Sequence, residues 1–422
     1  MASTPTSQGN AISSATTSPT TAQMPAKRLL RRMTGRDIHE SNRVSTPLEL
    51  LFDLTFVVAI AAAASQLHHA VGEHHLGLGM LAYLTSFAAI WWAWMGFTWF
   101  ASAYDTDDAT YRLWTMVQMF GVLILASGVS KIAQGDFSTF AIGYGVMRLG
   151  LVAMWLRAAR EHPERRRVAI RFALGLLSLQ GLWLARLALP PTWSLPSLAV
   201  LVTLELLLPL WASRAGDMPW HAHHIAERHG LFTIIVLGEC VLGASNAVAG
   251  MLDTQGWSLN VAMVGLGSVS LVLSLWWVYF LMPNAEAMHH RRDQALVWSY
   301  GHFFVFGALA ALGAFLEVMA DGLKEGSSLH AVAPTLAIGL VAAAVGVYLL
   351  TLWWLDARIT RGPAQLGWAW GAALAILLAL VAAVAAGLPL AGAIPAVTLA
   401  PALIILVVER GRLVRPALYG VK

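Results

Sequence analysis

The chain has a single cysteine, Cys240, so no disulfide can form within it. Charge is also scarce. Only 12% of the 422 residues are Asp, Glu, Lys or Arg, against about 25% in a soluble domain. A soluble fold of this size could not cover its surface with so few charges. That excludes a soluble enzyme, a disordered scaffold and a nucleic-acid binder. The net charge of +4 is too small to act as a polyanion-binding surface. Common catalytic signatures are missing too: there is no G-x-x-x-x-G-K-[ST] phosphate loop, no H-E-x-x-H zinc helix and no G-x-S-x-G nucleophile elbow. No cofactor and no metal is expected.

What the chain does have is apolar length. Hydrophobic residues make up 58% of it, gathered in runs of the roughly 20 residues that span a bilayer. The runs predict twelve transmembrane helices near 48–71, 76–103, 110–131, 137–158, 168–189, 194–213, 229–250, 258–282, 295–319, 330–355, 364–388 and 391–409. A re-entrant hairpin in place of the last pair would leave the ends on the same side. The predicted class is an all-α polytopic membrane protein, because helices satisfy their own backbone groups in lipid.

Residues 1–26 carry no charge and no signal-peptide pattern. Lys27, Arg28, Arg31, Arg32, Arg36 and Arg43 follow, just before the first run. With the N-terminus in the cytoplasm, the inner loops collect Arg157, Arg160, Arg165, Arg166, Arg167, Arg171, Arg214, Arg228, Arg291, Arg292, Arg358 and Arg361, with Arg112 at an edge. The outer loops hold Lys131 and Lys324, with Arg186 near a helix end. This asymmetry predicts both termini in the cytoplasm. It divides the chain into a disordered, basic tail (1–46), two membrane halves (47–213 and 214–410) and a cytoplasmic tail (411–422).

Three correspondences suggest that the halves are repeats in the same orientation. ELLFDLTFVV (49–58) aligns with ERHGLFTIIV (227–236), Trp91-Trp92 with Trp276-Trp277, and WLRAAR (155–160) with WWLDAR (353–358). Repeats of that kind are a known transporter architecture.

Polar side chains inside apolar runs cost free energy and are functional candidates by default. Glu49 and Asp53 lie one turn apart on one helix face. Glu239 and Glu205 lie mid-span, Glu317 near an outer end, and Gln118 and His302 about two turns in. Arg148 lies within the fourth run, a natural partner for a buried carboxylate. Asp105, Asp107 and Asp108 form an acidic stretch opening the third helix, with Arg112 one turn in; they suit an N-terminal cap or a site at the cytoplasmic mouth. His224 and Glu227 share a face at i, i+3, which is too few ligands for a metal. The histidine clusters at 68–75 and 221–229 read as interfacial, and the paired Trp residues as membrane belts or packing.

PLELLFDLTFVVAI (47–60), YDTDDATYRL (104–113) and HIAERHGLFTIIVLGE (224–239) resemble the bacterial low temperature requirement A proteins, over residues from about 40 to 410. In that resemblance Asp53 falls on the family's F-D-L aspartate, and Asp105, Asp107, Asp108 and Arg112 on its D-T-D-D…R stretch. Glu227 and Arg228 fall on its E-R pair, Glu239 on its G-E, and His302 and Glu317 on later positions. One departure is Leu281 after Tyr279-Phe280, where the family often carries an aspartate. The family name records growth at low temperature, not a reaction. It implies a polytopic inner-membrane protein in contact with the lipid bilayer. Three functions fit: an ion- or proton-coupled secondary transporter of a small molecule or ion, a non-catalytic membrane protein supporting growth in the cold, or an intramembrane lipid-modifying enzyme.

Overall fold

A computed structural model describes residues 30–40, 43–282, 284–323, 332–359 and 367–414. The charge-free segment 1–26, Lys27, Arg28, Lys324, Arg361 and residues 415–422 lie outside the described residues. Of the described residues 85% are helical and none is in a strand. Among them twelve helical spans are long and apolar enough to cross a membrane. They are α1 (Pro47–Gly72), α2 (Leu76–Tyr104), α3 (Ala109–Ile132), α4 (Ser138–Glu161), α5 (Arg166–Arg186), α6 (Ser194–Ser213), α7 (Ala222–Gln255), α8 (Leu259–Phe280), α10 (Ala295–Asp321), α11 (Pro334–Ile359), α12 (Gly367–Ala385), and the pair α13 (Leu390–Val397) with α14 (Leu399–Val414). A short helix, α9 (Asn284–His290), lies between the eighth and ninth spans.

Two boundaries depart from the sequence reading. Helix α7 starts at Ala222, about two turns before its apolar run, because His221 caps it: the His221 ring accepts from His224 N at 3.3 Å. At 34 residues and about 1.5 Å per residue, it overreaches a hydrocarbon core of about 30 Å. His224, Glu227 and Arg228 therefore stand on its first two turns. The last span is broken at Thr398, between α13 and α14, where Pro401 lacks the N–H that a continuous helix would give to Val397 O.

The two helix sets share an order of neighbours. α1 packs on α2 and α3, then α3 on α4, α4 on α5, and α5 on α6. Likewise α7 packs on α8 and α10, then α10 on α11, α11 on α12, and α12 on α14. The sets meet chiefly where α1 lies against α7 and α10. The face that carries the start of α1 is called the terminal face below.

Lipid offers no hydrophobic drive between helices, so close approach depends on small residues. The α3–α4 seam is built on this. Gly121 and Gly128 on α3 face Gly143 and Gly150 on α4, each pair two turns apart. A Cβ on Gly143 would lie 2.3 Å from Leu125 N, and one on Gly121 2.6 Å from Met147 N. Gly243 and Gly313 bring α7 and α10 together in the same way, with a Cβ on Gly243 only 2.5 Å from Gly313 O. Backbone atoms cannot rotate aside as side chains can. Gly143→Val should therefore destabilise the protein by about 1–3 kcal/mol or more. Gly181→Ala, where a Cβ meets nothing within 4 Å, should be near neutral. Thermal unfolding of both variants in detergent checks this, and equal midpoints would refute the seam.

Candidate functional site

The first turns of α1 and α7 meet near the terminal face and bury four ionisable side chains completely. On α1, Thr46 caps the helix: its hydroxyl accepts from Glu49 N at 3.3 Å, and Glu49 Oε2 accepts in return from Thr46 N at 2.8 Å. That reciprocal cap fixes Glu49 at the third helical position, and Asp53 follows one turn on. On α7, Arg228 reaches both carboxylates. Its NH1 lies 3.2 Å from Glu49 Oε1, and its NH2 donates to Asp53 Oδ1. His224 Nε2 lies 3.2 Å from Glu49 Oε1. The Trp94 indole on α2 donates to Asp53 Oδ1 at 2.7 Å. The Arg228 guanidinium also lies over the Trp94 and Phe97 rings at 5.9 and 5.8 Å. Glu49, Asp53, His224 and Arg228 are 0% exposed.

Several polar atoms here have no hydrogen-bond partner among the described residues: Asp53 Oδ2, Arg228 Nε, His224 Nδ1, and the hydroxyls of Tyr111 and Thr98. Buried polar atoms are seldom left unmatched, so their concentration in one place sets this centre apart from ordinary helix packing.

The N-terminal segment covers the site. Arg43, itself buried, donates to the Ser102 and Ala101 carbonyls at 2.6 and 2.8 Å, at the end of α2 where the helix dipole favours a cation. Arg36 N donates to Ala103 O at 3.0 Å, and Arg31 N to Asp108 Oδ2 at 2.9 Å. Ser45 N donates to Glu227 Oε1 at 3.3 Å. His221 ties Glu40 O with Nε2 at 2.9 Å while its Nδ1 accepts from His224 N, an arrangement that requires the neutral ring. Burial, followed by the bond to Glu40, sets its balance, and its pKa lies below the usual value.

The other candidates divide among separate places. Arg112 is exposed and pairs with Asp107 at 2.8 Å. Asp108 caps α3 by accepting from Tyr111 N at 2.8 Å, and it binds Arg157 at 2.5 Å; those donors outweigh its burial and hold its carboxyl down at about 2. Asp105 points inward and accepts from Asp107 N at 2.9 Å. The three aspartates thus have three different partners. Glu227 is half-buried at the rim of the centre. Arg148 pairs with Glu205 at 2.5 Å, remote from Asp53. Glu239 and Glu317 line a cavity of about 350 Å³ between α1, α7 and α10, where Asn246 donates to Glu317 at 2.8 Å. His302 is buried beside His229 and accepts from the Tyr279 hydroxyl at 2.9 Å, its Nδ1 turned to Trp298 O at 2.9 Å. It reaches the main centre only through ring contacts: His229 lies 4.8 Å from His302 and 5.0 Å from Trp94.

Residues the sequence did not single out are Thr46, Trp94, Tyr111 and Arg43. Thr46 was findable, because Thr-x-x-Glu before an apolar run is a capping signature. Trp94 and Tyr111 carried no such signal; an aromatic in an apolar run looks like packing.

The sequence profile of the bacterial low temperature requirement A protein (LtrA) matches residues 44–408. The chain belongs to that family. An uncharacterized protein of Rhizobium meliloti (strain 1021) is 26% identical over 288 residues, covering 64% of this chain and 68% of the relative. No solved structure matches. The matched LtrA region contains all four residues of the α1–α7 centre.

Two outcomes follow. Replacing Arg228 by Leu strands two buried carboxylates, which should cost about 3–5 kcal/mol. Adding Glu49→Gln and Asp53→Asn should restore most of the loss in SDS or thermal unfolding; no recovery would mean that the pairing is not what Arg228 contributes. The second concerns Asp105, which is 6% exposed. Burial, aided by the nearby Glu49 charge, pushes its carboxyl up to about 6. A raised folded pKa means that the folded state holds the proton more tightly. Stability is then greatest below about pH 4 and falls as pH rises through 6, by about 2–3 kcal/mol. Asp105→Asn should unfold later than wild type at pH 8 and indistinguishably from it near pH 4, by thermal midpoints across that range.

Proposed function

We propose that this LtrA-family chain is a proton-coupled secondary transporter of the bacterial cytoplasmic membrane, built as two six-helix halves with both termini in the cytoplasm. The observation that carries the reading is the charge count in the α1–α7 centre. Glu49 and Asp53 face one guanidinium, Arg228, and a neutral His224 leaves the buried group one negative charge in excess. Arg43 and Asp105 alongside offset each other, and Glu227 at the rim adds a further carboxylate. An unpaired charge without water is expensive, so the resting centre holds one proton. Asp53 Oδ2 suits that proton, being buried and reached by no donor.

The location supports coupling. Arg228 on α7 is tied to carboxylates on α1, and these are the leading helices of the two sets. Placing a proton on Asp53 weakens that tie, and releasing it strengthens the tie. Proton occupancy therefore biases how the halves pack, which is what alternating access needs. The shared order of helix neighbours supports the repeat. The arginines at the terminal face, among them Arg157, Arg165, Arg166, Arg167, Arg214 and Arg292, support the cytoplasmic orientation.

The test is electrogenic flux in proteoliposomes on a solid-supported membrane, with small organic acids and bases offered under an imposed pH gradient. Wild type should give substrate-dependent currents that grow with the gradient. Glu49→Gln and Asp53→Asn should remove the gradient dependence at unchanged protein content. Full gradient-driven current in both variants would overturn the proton role. No current from any substrate, with normal folding, would favour the non-catalytic reading.

A further inference from the structure

The two helix sets differ in one respect. In the second, α13 and α14 lie directly against α8, so close that a Cβ on Gly267 would stand 2.8 Å from Pro395 N. In the first, α6 makes no comparable packing on α2, and the space between them is hollow. Two chambers occupy it end to end. The first, of about 610 Å³, opens by Ile38, Pro219, Trp220 and Arg292 at the terminal face. The second, of about 510 Å³, lies deeper and is walled by apolar and aromatic side chains such as Trp91, Phe140, Trp183 and Phe303. Leu84, Leu187 and Phe304 on its rim are exposed, so it opens sideways toward lipid.

Trp92 and Tyr144 line both chambers and form the partition between them. Behind the partition lies the buried pair of Arg148 and Glu205. Glu205 is held through both oxygens, accepting from Arg148 at 2.5 Å, from Trp92 at 2.9 Å and from Trp183 at 2.8 Å. Arg148 is less fully matched. It gives one bond to Glu205, one to the Tyr144 hydroxyl at 3.0 Å and a long one of 3.4 Å to Leu176 O. A guanidinium has five N–H donors, so two have no acceptor among the described residues, and the side chain lines the first chamber beside Gln118. The waist has spare donors on a permanent cation and an adjoining apolar chamber. Each volume falls within the range of about 300–1,000 Å³ that holds small organic ligands.

We propose that this double chamber binds an amphipathic organic monoanion with one hydrocarbon chain. Its anionic group sits on Arg148, and its chain passes the Trp92 partition into the second chamber. A cation at the waist would meet Arg148 and a Glu205 already held by three donors, the other two carboxylates, Asp217 and Asp293, standing at the mouth among Arg165 and Arg292; a purely apolar molecule would leave the Arg148 donors unmatched. The proposal deepens the transport reading by naming a substrate class, and it rests on that reading for the crossing step alone.

The experiment is binding of cis-parinaric acid, a fluorescent long-chain carboxylate, to the full chain in zwitterionic nanodiscs. It is read as energy transfer from tryptophan. Saturable transfer is expected, displaced by palmitate at least about tenfold more effectively than by hexadecanol. Arg148→Gln with Glu205→Gln, which keeps the buried pair neutral and hydrogen-bonded, should abolish that preference. Ala88→Trp, which fills the second chamber from its wall, should weaken both competitors and covers the case in which the double variant does not fold. Transfer that never saturates, equal competition by acid and alcohol, or unchanged preference in a folded double variant would overturn the proposal. Intact binding with no flux would sink only the transport reading. Flux without this binding would sink only the ligand assignment.

Discussion

Arg228 cannot shed its charge, and it stands fully buried, out of reach of bulk solvent. Every neighbour is arranged around this constraint. Asp53 and Glu49 supply carboxylates from α1. Trp94 supplies a donor from α2 and an aromatic face. His224, one turn before Arg228 on the same helix, steadies Glu49. Three helices from both sets are thereby held at one depth. Replacing such an ion cluster with apolar residues is often neutral or stabilising, so stability alone is a weak reason for its presence. A centre with one carboxylate more than it has guanidiniums makes sense if a proton comes and goes.

The strap formed by residues 30–40 and 43–45 follows from the same constraint. A basic run before a first span reads in sequence as a topology signal, and the run is also structural. Arg43 caps the carbonyl end of α2, and the backbone around it is tied to Asp108, Ala103 and Glu227. These residues cover the centre from the terminal face and keep solvent from its charges. Asp105, buried beneath them at the junction of α2 and α3, is raised because the same cover keeps water away.

Much of the architecture was legible because lipid imposes it. A run of about 20 apolar residues in a bilayer is a helix whatever its partners, so the twelve spans needed no tertiary information. Glu49 and Asp53 were legible as a pair, since helical spacing sets their shared face. Their partner was not, because Arg228 lies 175 positions beyond Asp53 and periodicity says nothing about which helices touch. Arg148 shows the same limit: its need for a carboxylate was plain, while its choice of Glu205 depends on how α4, α5 and α6 pack. The aspartates 105, 107 and 108 show the converse. They are adjacent in sequence, yet an irregular backbone with Asp107 at φ +47° turns each toward a different partner.

The asymmetry between the helix sets bears on what the fold is for. If twelve helices served only to hold a stable bundle, the closure that Gly267 and Pro395 achieve between α8 and α13 would be the favoured solution on both sides, because a void forfeits dispersion contacts along its whole lining. The first set leaves the corresponding gap open and places its costliest unsaturated cation at the waist. A gap that opens to the terminal face at one end and to lipid at the other, divided only by Trp92 and Tyr144, is costly as architecture. It becomes economical once a ligand supplies the missing contacts, with hydrocarbon against the aromatic walls and an anion against the unmatched donors of Arg148. On this view the α1–α7 centre and the α2–α6 chambers divide the work. In the proposed transporter, charge balance at Arg228 would set how the two helix sets lie together, and the open seam beside them would hold a molecule while they move.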